Sequence, residues 1–164
     1  MKQKEITFHY TTADQLSELN KQDRQLMAQA AAAASRAYAP YSGFKVGAAI
    51  KLADGNVVTG NNQENAAYPS GLCAERVAVF SAFALYPDAV IDTIAVTIQT
   101  KNHDIVEPVS PCGACRQVIA EYEHKQGKKI RVIFSGENGK SITVEGIHNL
   151  LPMTFTANNL KYQP

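Results

Sequence analysis

Apolar and polar residues along the chain follow two periods. Ile6, Phe8 and Tyr10 alternate with polar residues, so a short strand is expected there. Asn20, with Asp23 three residues on, has the form of a helix start, and residues 21–38 hold many good helix formers. Pro40 ends that helix, and Pro40 to Gly43 reads as a turn. Phe44–Leu52 and Val57–Asn62 read as a hairpin around Ala53-Asp54-Gly55-Asn56. Cys73–Leu85 is expected as a helix that is apolar almost all round and therefore buried on most sides, which hints at a subunit interface. Residues 91–99 give another strand. Pro111–His124 gives a helix, Ile130–Phe134 and Ser141–Val144 give strands around the turn Gly136 to Gly139, and Ile147–Leu151 gives a short helix. This order fits a sheet with helices on its faces.

Length and charge narrow the function. At roughly 150 residues per domain, 164 residues predict one domain. A net charge of +1 argues against a nucleic-acid footprint, which would cluster Lys and Arg. The compact basic run, Lys128-Lys129 with Arg131, is expected to be a solvated helix-to-strand corner. The start MKQKEITFHY lacks the apolar segment of a secretory signal, and no run of about 18 apolar residues predicts a membrane span. Three cysteines, an odd number, point to a reducing cytoplasmic setting and to metal or redox use.

Two fragments carry the chemistry: Cys73-Ala74-Glu75 and Pro111-Cys112-Gly113-Ala114-Cys115. Both fall at expected helix N-termini, where free N–H groups and the dipole stabilise thiolates. The CxxC offers two sulfurs about one turn apart, and zinc suits such a donor set. A structural zinc wants four protein ligands, whereas three leave one position open, the catalytic pattern. His9, His103, His124 and His148 show no ligand-type spacing to the cysteines. Glu75, two residues after Cys73, is placed to move a proton; on its own it could equally be a carboxylate that complements the helix dipole. Three thiolates leave a divalent zinc site with a net negative charge. Arg76 and Arg116 flank the ligands and are candidates to compensate, or else surface salt bridges. A redox pair at Cys112 and Cys115 is the rival reading, but it leaves Cys73-Ala74-Glu75 without a role. A structural-zinc interaction module lacks the fourth ligand.

The blocks AYAPYSGFKVGAAI (37–50), NQENAAYPSGLCAER (62–76), SPCGACRQV (110–118) and LLPMTF (150–155) closely resemble the homotetrameric zinc-dependent cytidine deaminases. The matching stretch runs from about residue 37 to 155 and leaves residues 1–22 as an N-terminal extension. The resemblance implies a three-layer α/β/α sandwich with a mixed, roughly five-stranded sheet. It implies hydrolytic deamination of cytidine and deoxycytidine to uridine and deoxyuridine with release of ammonia, in pyrimidine salvage. A relative acting on another aminopyrimidine nucleoside is the alternative. One zinc per chain would be held by Cys73, Cys112 and Cys115, with Glu75 also meeting ring N3 and the leaving amine. Phe44 would stack on the pyrimidine, and Asn62 and Glu64 would bond the ribose 3′-hydroxyl. Tyr68 would approach the 5′ side, the backbone of Ala74 the base carbonyl, and the carbonyl of Ser110 the exocyclic amine. Phe155 would reach the site of a neighbouring subunit in a tetramer with shared active sites.

Overall fold

The computed structural model describes residues 1–101, 105–137 and 139–160. His103 and the turn residue Asn138 therefore lie outside the described residues. Three helices, α1 (Lys21–Ser35), α2 (Ala74–Leu85) and α3 (Gly113–Gln126), flank one sheet. Its strands are β1 (Thr11–Ala13), β2 (Lys45–Leu52), β3 (Val57–Asn61), β4 (Ile91–Gln99), β5 (Arg131–Ser135) and β6 (Ser141–Glu145). The order across the sheet is β1-β6-β5-β4-β2-β3. β4 and β5 are parallel and the remaining pairs antiparallel. The parallel pair needs a long crossover, and α3 supplies it.

Alternation along the strands divides the core into two layers. Ala48, Ile50, Ile94, Val96, Val132 and Phe134 pack with residues of α2 and α3. Their neighbours Ala49, Ala95 and Ile133 turn to the other face and meet Leu26, Met27 and Ala30 of α1. Period-2 burial on both faces is what makes three layers of these elements. Two glycines set the spacing. A Cβ on Gly47 of β2 would lie 2.0 Å from the Ala30 carbonyl oxygen of α1. A Cβ on Gly60 of β3 would lie 2.5 Å from the Ala78 nitrogen and 2.7 Å from the Ala74 carbonyl oxygen. The first turns of α2 thus rest directly on bare backbone of β3.

The helix starts agree with the sequence. Asn20 caps α1, its side chain accepting from Asp23 N–H at 2.9 Å. α2 and α3 begin one and two residues later than expected, because Cys73 and Cys112 are their N-caps. Gly127 (φ 60°) closes α3 in the left-handed conformation. Residues Ile147–Asn149 form a single 3₁₀ turn.

Three expectations need correction. The described residues form six strands rather than about five, and the first is Thr11–Ala13, not Ile6–Tyr10. Among the described residues the ladder with β6 covers only Thr11–Ala13. Ile6, Phe8 and Tyr10 remain more than half exposed. Arg131 is not a solvated corner: its Nη1 donates to Asp23 Oδ2 at 2.8 Å and its Nη2 to the other carboxylate oxygen, tying β5 to α1. α2 leaves part of its apolar surface, Phe80 and Leu85, exposed at 43% and 66% within one chain. Among the described residues no helix is long and apolar enough to cross a membrane.

Candidate active site

The N-termini of α2 and α3 meet at the end of a cleft of about 760 Å³. Cys73 Sγ lies 3.8 Å from Cys112 Sγ, which lies 3.4 Å from Cys115 Sγ. All three sulfurs fall within 4.8 Å of one another. Thiolates around a tetrahedral zinc at 2.3 Å would stand about 3.8 Å apart, so the set is spaced for that ion. Among the described residues no other group of three His, Cys, Asp or Glu side chains is so placed.

The sulfurs share protons unevenly. Cys73 is lowered to about 5, first because Cys115 hydrogen-bonds to it and, against the effect of burial, because Arg76 does so too. Cys115 is pushed up, because it holds the proton in that bond and is buried. Arg76 Nη2 sits 3.6 Å from Cys73 Sγ, and that contact raises the arginine's own pKa. Arg76 Nε is buried without a hydrogen-bond partner. Cationic charge is therefore already in place beside the sulfurs, as the expected charge balance demands.

Glu75 is 4% exposed and lines the cleft next to Cys73 and Cys112. Burial pushes its carboxyl above the ordinary range. A carboxyl so desolvated is suited to carrying a proton. Ala74 is fully buried at the first position of α2, where its N–H has no intrahelical acceptor.

Arg116 does not contact sulfur. Its Nε donates to Pro111 O at 2.7 Å, Nη1 to Leu150 O at 2.8 Å and Nη2 to Ser110 Oγ at 2.7 Å. It braces the backbone that delivers Ser110, a cleft residue, and Cys112.

The rest of the cleft is apolar on its walls and polar at its mouth. Phe44, Val46, Val96, Ile98 and Val109 line it, with Asn62, Glu64 and Tyr68. Asn62 and Glu64, two apart on an extended segment, share a side as expected. Gln63 between them exchanges two backbone bonds of 2.9 Å with Leu72, which fixes this segment to the approach of Cys73. Asn62 Oδ1 accepts from Val46 N–H at 2.7 Å and its Nδ2 donates to Phe44 O at 2.9 Å. Glu64 is held below the usual carboxylate range, first by the Ser42 hydroxyl and then by Tyr41 N–H. Tyr68 stands on the rim, 76% exposed, edge-on to Tyr41 at 6.1 Å. Phe155 is not brought to the cleft of its own chain; it is 57% exposed, and its carbonyl accepts from Gln117 Nε2 at 2.7 Å.

Sequence reasoning missed the apolar walls, since Val96 and Ile98 look like any strand residues. It also missed Tyr41 and Ser42, although the turn signal Pro40-Tyr41-Ser42-Gly43 marked their place.

Comparisons with known proteins agree with this geometry. A family described as the cytidine and deoxycytidylate deaminase zinc-binding region matches residues 20–130. A cytidine deaminase of Halalkalibacterium halodurans is 41% identical over 139 residues, 84% of this chain and 98% of the relative. One of Sporosarcina psychrophila is 39% identical over 140 residues, 84% of this chain and 94% of the relative. The crystal structure of cytidine deaminase from Burkholderia pseudomallei superposes with a TM-score of 0.70 at 38% identity, covering 84% of this chain and all of the other.

Proposed function

The chain belongs to the zinc-binding cytidine and deoxycytidylate deaminases, and from that premise we propose how its cleft deaminates cytidine and deoxycytidine. The observation that carries the reading is one buried carboxylate, Glu75, beside three thiols spaced for a single zinc. When bound by Cys73, Cys112 and Cys115, zinc supplies Lewis acidity and lowers the pKa of water at its open position. Glu75 takes a proton from the water that attacks C4 of the cytosine ring and passes it to N3. It then takes the remaining proton from the new C4 hydroxyl and delivers it to the C4 amine, so that the C4 carbonyl forms as the C–N bond breaks, ammonia leaves, and uridine or deoxyuridine remains. Arg76 keeps Cys73 as a thiolate. The Ser110 carbonyl, held in place by Arg116, accepts from the exocyclic amine, and the Ala74 N–H meets the base carbonyl.

Phe44 stacks on the pyrimidine between apolar walls that keep bulk water from the ring. Asn62 and Glu64 bond the ribose 3′-hydroxyl, and Tyr68 flanks the 5′ side. The charged residues of the cleft favour a nucleoside over a nucleotide. They are Glu64, Glu75 and Arg76, and the arginine is engaged with Cys73. Among the described residues lining the cleft, a 5′-phosphate would meet carboxylates and no spare cation.

The proposal extends to a homotetramer in which Phe155 completes a neighbour's site. Exposed Phe80, Leu85 and Phe155 support it. We place the reaction in pyrimidine salvage in the cytoplasm, a setting in which three free thiols persist. Residues 1–22 extend the one catalytic domain.

Ultraviolet absorbance of purified protein with cytidine, with zinc assayed on the same sample, tests the reading. Loss of cytidine absorbance with about one zinc per chain is expected. A zinc-replete protein that leaves cytidine unchanged would overturn it.

A further inference from the structure

The turn before β2 does more than close the mouth of the cleft. Ser42 Oγ accepts from Phe44 N–H at 3.0 Å and donates to Glu64 Oε1. Glu64 Oε2 accepts from Tyr41 N–H at 2.9 Å and from Ser42 N–H at 3.3 Å. A carboxylate offers about four acceptor sites. The turn fills three of them, and the remaining one lies on Oε1, the oxygen that the Ser42 hydroxyl holds. Because the hydroxyl accepts from Phe44 N–H, its own proton is directed to Glu64. One side chain therefore ties the ring-stacking residue to the carboxylate at the sugar end.

We propose that Ser42 is a positioning residue that aims Glu64 Oε1 at the 3′-hydroxyl of the nucleoside and so sets the preference for sugars carrying that group. The proposal rests on the reading above, in which Glu64 meets the 3′-hydroxyl. An untethered glutamate would spread over many rotamers, and binding would have to overcome that freedom. Asn62 is already aimed by its bonds to the backbone of Phe44 and Val46, which leave one donor and one acceptor site for the hydroxyl, so Glu64 is the partner whose aim depends on Ser42. The same Ser42 hydroxyl is the largest of the contacts that hold the carboxyl below its ordinary value.

The test compares cytidine with 3′-deoxycytidine on zinc-loaded wild type, Ser42→Ala, Ser42→Thr and Glu64→Ala, with kcat and KM resolved and thermal melts run in parallel. Wild type is expected to favour cytidine. Ser42→Ala is expected to lose roughly tenfold in kcat/KM on cytidine, mainly through KM, as for one bond to a charged group. It should lose little on 3′-deoxycytidine, and Ser42→Thr should recover most of the loss. If Ser42→Ala does not fold, Ser42→Cys, with its weaker donor, gives the same comparison. Equal losses on both substrates, or full discrimination in Ser42→Ala when Glu64→Ala has lost it, would overturn the proposal. If Glu64→Ala also keeps full discrimination, the 3′-hydroxyl reading of Glu64 fails first and the role of Ser42 falls with it.

Discussion

Helices α2 and α3 begin alike and then diverge. Each has a cysteine at its N-cap in extended backbone, Cys73 at φ −71°, ψ 154° and Cys112 at φ −66°, ψ 165°. Neither cysteine side chain caps its own helix. At the second helical position α2 carries buried Glu75, where α3 carries exposed Ala114. At the third, α2 places Arg76 against the Cys73 sulfur, while α3 places a further sulfur, Cys115. The shared start provides the grip on a metal. In the proposed reaction the next turn decides the rest: α2 would bring proton transfer and positive charge, and α3 only a ligand. Their arginines divide in the same way, Arg76 facing sulfur and Arg116 facing backbone carbonyls.

That division can be tested from the strongest effect downward. Cys112→Ala removes a ligand from α3 and is expected to abolish both zinc content and turnover. Metal analysis checks it, and a zinc-replete Cys112→Ala protein contradicts the ligand assignment. Glu75→Ala should retain about one zinc per chain and lose about a thousandfold in kcat, so steady-state rates on metal-analysed protein separate proton transfer from grip. Arg76→Gln should cost about ten- to a hundredfold in zinc affinity or activity. Arg116→Gln should instead lower the melting temperature, with zinc affinity nearly unchanged. Chelator competition beside thermal melts distinguishes the two arginines; equal losses of zinc affinity would erase the contrast between the helices.

The smallest effect concerns pH. Burial raises the Glu75 pKa in the fold. In zinc-free protein its contribution to stability is therefore complete below the ordinary value of 4.5 and is lost as pH rises through the raised value. Denaturant titrations from pH 4 to 8 should show the wild type losing stability relative to Glu75→Gln as pH rises. A parallel pair of curves would mean that Glu75 is not desolvated.

The parts of the site that the sequence disclosed are those governed by local chemistry. The Cys-Ala-Glu and Pro-Cys-x-x-Cys fragments could be placed at helix starts because capping and the helix dipole act within one turn. Asn62 and Glu64 are singled out by the resemblance, and their i, i+2 spacing agrees with it; both lie just past the end of β3. What stayed hidden depends on distant partners. Arg131 looked like a surface charge because Asp23, its partner, is 108 residues away in the chain. The alternation at Ile6 to Tyr10 was real, yet the edge of β6 accepts Thr11–Ala13. Arg116 could not be told from Arg76, because the carbonyl of Leu150 reaches it only through the fold.

The bare backbone at Gly60 has a consequence for anyone wishing to retarget this enzyme. The pitch of α2 against the sheet is set by an atom that is missing, and Cys73, Ala74 and Glu75 inherit their coordinates from it. A library of variants can sample the turn at Tyr41 and Ser42 widely, because on the proposal above changes there would alter which sugars are favoured. A single methyl at position 60 would shift the reacting end as a unit. Selection can therefore explore substrate range at one end of the cleft while the chemistry at the other stays fixed.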